Sequence, residues 1–334
     1  MNCNLTEVNP YVISERVFKD GMVFLDWNES SYLPKCVSDD LKKTALNELN
    51  QYPDPTNKEL KLQISKYTGV STDFIECFNG SDSALDYTFR TLLNKKNKVL
   101  IPYPNYTQIN QTIQSLGGKV KYCDITNLEN QIISEKPQIV YLSVPNNPIG
   151  YVYDVMPLVK KYSNIYFIVD EAYYEYYKEY SVFDLAYRYN NLISVRTFSK
   201  GLGLAGVRLG YLTANSYIIN KIRSIKNFKD VSRLAEYAGV SALKNINIIE
   251  KDINETLQTK KDFISKLKGV RVYDSYANFV LIEHPKIKEI ISNLKDNNIL
   301  VRDRSKFINN TIRITIGKPK VMEKVAEIIN NNSI

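Results

Sequence analysis

Two periodicities divide this chain. From Ser38 to Thr213, helix-length stretches with apolar residues three and four apart alternate with short, continuously apolar runs. Ser38 to Leu49 reads as a helix stopped by Tyr52-Pro53-Asp54-Pro55, and Asn57 to Tyr67 as a second, ended by Gly69. Gly80-Ser81-Asp82 opens a third, Ser83 to Leu93. Tyr106 to Leu116 and Val155 to Tyr162 complete the helical set. Between them Lys98 to Ile101, Lys119 to Cys123, Gln138 to Val144, Ile165 to Val169, Leu192 to Phe198 and Arg208 to Thr213 read as strands. Short apolar strands alternating with helices predict an α/β fold: a mostly parallel sheet between helices.

Beyond Ser216 the pattern changes. Helices fill Ile218 to Lys268, with breaks near Asp230 and Asn245. Short strands (Val270 to Tyr273, Asn278 to Glu283, Ile299 to Arg302, Thr311 to Ile316) then mix with helices at Pro285 to Asp296 and Val321 to Asn330. That is a smaller α+β unit. We expect an N-terminal arm (1–34) packed with it, a large unit at 35–245 and the small unit at 246–334.

At 334 residues, 44% hydrophobic and 24% charged, the composition is that of an ordinary globular chain. The formal charge of +8 comes from lysines paired along the whole length, such as Lys42-Lys43 and Lys260-Lys261, with no basic stripe. We therefore expect neither a nucleic-acid partner nor a membrane; a basic nucleic-acid-binding protein is the rival that the charge alone suggests. Four cysteines stand singly and no signal-type apolar stretch opens the chain, which points to the cytoplasm and away from a metal site. With a single histidine, His284 before Pro285, we expect neither Ser-His or Cys-His catalysis nor a His-based metal site.

In parallel sheets functional residues gather at strand ends. Asn147, Asp170 and Lys200 each follow a predicted strand. Lys200, between the strand ending at Phe198 and a Gly-rich turn, is placed to carry pyridoxal phosphate as a Schiff base. Asp170 suits the pyridine nitrogen, because a buried ionised carboxylate needs a cation. Tyr173 and Asn147 suit the ring hydroxyl and Tyr106 the ring face. The helix start at Ser81 and Asp82, with Thr197, Ser199 and Arg208, suits the phosphate. Arg313, inside an apolar strand, calls for an anion, and Arg302 can join it. Two further patterns are weaker. Gly201-Leu202-Gly203-Leu204-Ala205-Gly206 has dinucleotide spacing but leads into a strand, and Thr197-Phe198-Ser199-Lys200 lacks the companion motifs of an acylating serine.

Taken in order, Asn9-Pro10-Tyr11, Leu25-Asp26-Trp27-Asn28-Glu29, Tyr52-Pro53, Asn79-Gly80-Ser81-Asp82, Pro104-Asn105-Tyr106, Pro145 to Gly150, Asp170-Glu171-Ala172-Tyr173, Arg196 to Gly210, Ala277-Asn278-Phe279, Val301-Arg302-Asp303 and Arg313 to Gly317 cover nearly the whole chain. With these segments it resembles the fold-type I, class I/II aminotransferases, and among them the histidinol-phosphate aminotransferases. The resemblance implies a seven-stranded large sheet, pyridoxal phosphate, a small amino donor with a keto-acid acceptor, and a homodimer in which Tyr52 reaches the neighbouring subunit's cofactor phosphate. It also implies that Tyr11, Asn28, Arg302 and Arg313 meet the substrate. Two departures stand out: Asn227 to Arg233 replaces a Pro-Tyr-Asn-type turn, and Ser83 replaces an acidic residue. They point to a small phosphorylated or carboxylated substrate other than histidinol phosphate. The alternative on the same scaffold is a phosphoamino-acid decarboxylase resembling threonine-phosphate decarboxylase.

Overall fold

The computed structural model describes residues 16, 18, 20–44, 50–94 and 96–331. Strands are β1 (Val23–Leu25), β2 (Ile75–Phe78), β3 (Lys98–Pro102), β4 (Lys119–Cys123), β5 (Ile139–Ser143), β6 (Tyr166–Asp170), β7 (Leu192–Thr197), β8 (Gly210–Thr213), β9 (Arg271–Tyr273), β10 (Phe279–Glu283), β11 (Ile299–Asp303) and β12 (Thr311–Thr315). Helices are α1 (Lys35–Thr44), α2 (Lys58–Thr68), α3 (Ser81–Leu92), α4 (Gln108–Ser115), α5 (Leu128–Glu135), α6 (Met156–Lys161), α7 (Ser216–Ile225), α8 (Arg233–Lys244), α9 (Ile246–Lys266), α10 (Ile287–Asp296) and α11 (Pro319–Asn331).

Seven strands form the large sheet, in the order β2-β8-β7-β6-β5-β3-β4. Its centre is parallel, and β8 is antiparallel to both β7 and β2. The α/β fold expected from the alternating pattern is therefore present. β5 and β7 are buried along their whole length. Apolar side chains cover both faces: Ile109, Ile113 and Ile219 belong to one cluster, Leu128, Ile132 and Leu158 to the other.

A second sheet, β1-β11-β12-β10-β9, collects strands from both ends of the chain. β1 lies parallel to β11, pairing Val23 with Ile299. The boundary we place at 245–246 falls between α8 and α9. Among the described residues no helix is long and apolar enough to cross a membrane.

β1, β2 and α5 were not foreseen. β1 has only three residues in polar surroundings. β2 contains Glu76, whose burial is compensated by lysines distant in sequence. α5 is eight residues long, too short for its periodicity to stand out.

Candidate active site

Parallel pairing brings the carboxyl ends of the central strands level: Ser143 sits beside Asp170, and Asp170 beside Val195. The chain leaves the sheet there, and the candidate residues gather at that edge. Asp170 closes β6. It is buried, and its carboxylate accepts from the Tyr141 hydroxyl (2.9 Å) and the Ala172 N–H (3.1 Å). Burial pushes it up to about 7; the Tyr141 hydrogen bond opposes that shift and nearby Asp82 adds to it. Among the described residues no cation pairs with this buried carboxylate.

β7 ends at Thr197, and Lys200 follows in the next turn. Its Nζ donates to the Trp27 carbonyl at 2.7 Å. Desolvation, then the charge of Arg313, lowers Lys200 to about 8. The Thr197 and Ser199 hydroxyls lie 3.0 Å apart between this turn and β8. At the same edge the first turn of α3 presents Ser81 and Asp82. Arg208 reaches across to Asp82 (3.1 Å) from a left-handed backbone, φ 57°. Such a conformation in a non-glycine residue is held by its surroundings and collects at functional sites. Gly80 is also left-handed, and a side chain there would lie 2.8 Å from the Arg208 guanidinium; one at Gly210 would collide with the Ser81 backbone. Close backbone approach requires glycine at Gly210, and the positive φ of 85° favours it at Gly80. The Tyr106 hydroxyl is bonded to Gln108 (2.6 Å) and Asp82 (3.1 Å).

The opposite wall comes from the small sheet. Arg313 is buried in β12. One of its terminal nitrogens donates to Asn147 Oδ1 and the other to the Asp26 carbonyl, both at 2.6 Å. Its Nε is buried and has no hydrogen-bond partner among the described residues. Burial, then Arg304 and Arg302, hold the guanidinium down to about 9. Asn147 donates in turn to the Tyr173 hydroxyl (3.2 Å), which also receives a hydrogen bond from Asn28 Nδ2 (2.8 Å). Asn28 is fixed by Thr315, whose hydroxyl meets both its N–H and its side-chain oxygen. One network thus ties both sheets to the pocket.

These walls enclose a cavity of about 400 Å³. Ser81, Asp82, Tyr106, Asn147, Asp170, Tyr173, Thr197, Ser199, Lys200, Arg208, Asn28, Arg302 and Arg313 all line it. Tyr52 does not: it is 73% exposed, with the Lys229 ammonium 3.5 Å from its ring centroid. Tyr11 lies outside the described residues. Sequence reasoning missed three contributors: Tyr141 behind Asp170, Arg304 beside Arg302, and the Trp27 carbonyl. Tyr141 had one available signal, since a phenol inside a fully apolar strand needs a partner. For Arg304 the only hint was its position two residues after Arg302, which puts both on one side of an extended strand.

Comparison with known proteins adds independent findings. The sequence model of aminotransferase class I and II matches residues 21–329. The dihydroxyacetone phosphate transaminase of Campylobacter jejuni is 33% identical, over 98% of this chain and 96% of the relative. The histidinol-phosphate aminotransferase of Methanocaldococcus jannaschii is 30% identical, over 94% of this chain and 89% of the relative. The solved histidinol-phosphate aminotransferase of Sinorhizobium meliloti, in complex with pyridoxal 5'-phosphate, superposes with a TM-score of 0.83 at 24% identity, over 93% of this chain and 90% of that one. This last likeness is one of fold.

Proposed function

The chain belongs to the class I and II aminotransferases, and on that premise we propose that it moves an amino group between a small phosphorylated compound and a keto acid, with pyridoxal phosphate held at Lys200. The residues present fit the cofactor. Asp170 is a buried carboxylate without a cation among the described residues, and a protonated pyridine nitrogen would supply one. The α3 N-terminus, Arg208 and the Thr197–Ser199 pair suit its phosphate; Asn147 and Tyr173 suit its ring hydroxyl; Tyr106 suits its ring face. When bound, the cofactor supplies a cationic ring that withdraws the electrons left at the substrate carbon.

The protein's own part is positioning and proton transfer. With its pKa lowered to about 8, Lys200 Nζ is partly neutral near neutral pH, so it can take a proton from the substrate carbon and return it. The Trp27 carbonyl holds that nitrogen facing the pocket. Asp170 stays oriented by Tyr141 and the Ala172 N–H.

The observation that carries the substrate reading is the arginine wall. Arg302, Arg304 and Arg313 line one side of the cavity, and the Nε of Arg313, without a hydrogen-bond partner among the described residues, is a buried donor suited to an anion. Three guanidiniums match a phosphate better than a single carboxylate. The cavity is near the lower end of the roughly 300–1,000 Å³ range for small-molecule sites, and it must hold cofactor and substrate together. A three-carbon phosphate, as in the name of the C. jejuni relative, fits these constraints better than histidinol phosphate. We also infer a homodimer in which exposed Tyr52 enters the partner's pocket, and a cytoplasmic location suited to the free thiols of Cys36, Cys77 and Cys123. A half-reaction screen tests the substrate reading. Holoenzyme is mixed with amino-alcohol phosphates, phosphoamino acids and histidinol phosphate while cofactor absorbance is followed. The expected result is the fastest conversion with a three-carbon amino-alcohol phosphate. Release of carbon dioxide from a phosphoamino acid, with no need for a keto acid, would favour a decarboxylase instead.

A further inference from the structure

We propose that a second cavity, at the β2 edge of the large sheet, binds the phosphate group of a small molecule at a site separate from the Lys200 pocket. The cavity measures about 600 Å³, and four cations line it: Lys58, Lys61, Arg223 and Lys226. Its acids are Glu76 and Asp73. Glu76 is buried in β2 and is surrounded by three of the cations. Its Oε2 accepts from Lys61 Nζ and Arg223 Nε, both at 2.8 Å, and its Oε1 accepts from Lys226 Nζ at 2.6 Å. Burial pushes Glu76 up, but Lys226 and Lys61 outweigh it and hold the group down at about 2.

One carboxylate neutralises one cation. Around Glu76 three cations meet one buried carboxylate, and the only other acid acting on them among the described residues is Asp54, near Lys61, so positive charge remains in excess. The Lys61 and Lys226 side chains are only 11% and 4% exposed. Enclosed charge without a counterion is unfavourable. Each ammonium carries three N–H donors, and among the described residues each spends one on Glu76, Lys226 also lying 4.9 Å from the Phe78 ring centroid. Donors and net charge therefore remain for an anion with several acceptor oxygens, which describes a phosphate. Asp73 is exposed and does not join the Glu76 cluster.

The site is also placed to act on the main pocket. β2 runs from Glu76 directly into Asn79 and Gly80, which open α3. On the other side, four residues after Lys226, Asp230 accepts from the Asn79 N–H (2.9 Å) and the Ser83 hydroxyl (3.1 Å). The two departures seen in the sequence, Asp230 and Ser83, are thus bonded to each other. An anion among Lys61, Arg223 and Lys226 touches both supports of the turn that starts α3.

The test is calorimetric titration of the holoenzyme with inorganic phosphate and, separately, with glycerol phosphate in low-salt buffer. Arg313→Lys serves to separate any binding in the main pocket. We expect Lys226→Gln to weaken by tenfold or more a binding event that Arg313→Lys leaves intact. Glu76→Gln removes the competing carboxylate, and at these short distances it is expected to tighten the same event by roughly tenfold. Lys58→Gln, on a residue outside the Glu76 cluster, should weaken it by about threefold without threatening the fold. Binding of both probes identifies the phosphate group as the recognised element; binding of inorganic phosphate alone restricts the site to the free ion. The proposal is overturned if phosphate affinity is the same in Lys58→Gln and Glu76→Gln as in the unmodified protein, or if Arg313→Lys removes all binding. It is also overturned if these substitutions change the monomer–dimer equilibrium and leave phosphate affinity alone, since the occupant is then a carboxylate from a second copy.

Discussion

The two walls of the Lys200 pocket are built by different means. The large-sheet wall is made of strand ends held level by parallel pairing, so Ser143, Asp170 and Thr197 take their places from backbone register. The small-sheet wall is made of side chains that span long sequence separations: Arg313 reaches Asn147 and Asp26, and Asn28 reaches Tyr173 and Thr315. The first wall suits a rigid cofactor and the second a substrate. Changes in the first are therefore expected to act on chemistry, and changes in the second on recognition.

The largest effect is expected at Lys200. Lys200→Ala removes both the attachment point and the proton carrier, and turnover should fall by at least about 10⁴-fold while the protein stays folded. Borohydride reduction followed by peptide mass analysis should find the cofactor on the peptide bearing Lys200. Cofactor fixed on any other lysine contradicts the assignment.

Asp170 comes next. Asp170→Asn keeps the shape of the side chain and removes the charge, and kcat should drop by about 10²–10³-fold with cofactor still bound. The same residue yields a stability test with a definite sign. Its folded-state pKa is raised from 3.8 to about 7, so in cofactor-free protein the stability present below pH 3.8 is lost as pH rises through about 7. Cofactor-free Asp170→Asn should thus exceed the unmodified protein in stability at pH 8 by roughly 4 kcal/mol, an order-of-magnitude figure from the size of the shift. Denaturant unfolding at pH 4 and pH 8 measures it. Equal stability of the two proteins at pH 8 would mean that Asp170 already has a cationic partner.

Substitution in the other wall should read out differently. Arg313→Lys loses the fork geometry and should lower kcat/KM for a phosphorylated substrate about tenfold or more, mainly through KM, with cofactor absorbance retained. An equal fall in kcat would erase the distinction between the walls. The smallest effect is expected for Tyr141→Phe. It removes one hydrogen bond to Asp170, a change of about 1 kcal/mol, and should lower kcat a few-fold. Because that bond holds the Asp170 pKa down, the low-pH limb of the rate profile should also move upward. An unchanged profile would make Tyr141 a packing residue.

This contrast also governs what could be read from the chain. Lys200, Asp170 and Asn147 are legible because each follows an apolar run, and strand ends are where parallel sheets concentrate function. The same logic exposed Arg313 as a cation within an apolar strand, but not its engagement with Asn147, 166 positions away. β1 was hidden for a related reason: its three residues acquire meaning only by pairing with β11 at the far end of the chain. Glu76 shows the limit most clearly. Within β2 it reads as an interruption of an apolar strand, and Lys61, Arg223 and Lys226, brought up from α2 and from α7 and its end, make its burial possible. Local pattern carries the cofactor wall, while long-range pairing carries the substrate wall and the cation cluster.

The most direct test of the account is the ratio of kcat/KM for a three-carbon amino-alcohol phosphate to that for histidinol phosphate, measured on the holoenzyme with a keto-acid acceptor. The arginine wall and the small cavity predict a ratio well above one, falling towards one in Arg313→Lys. A ratio well below one, with efficient turnover of histidinol phosphate, would contradict the substrate reading and leave aminotransferase chemistry at Lys200 in place.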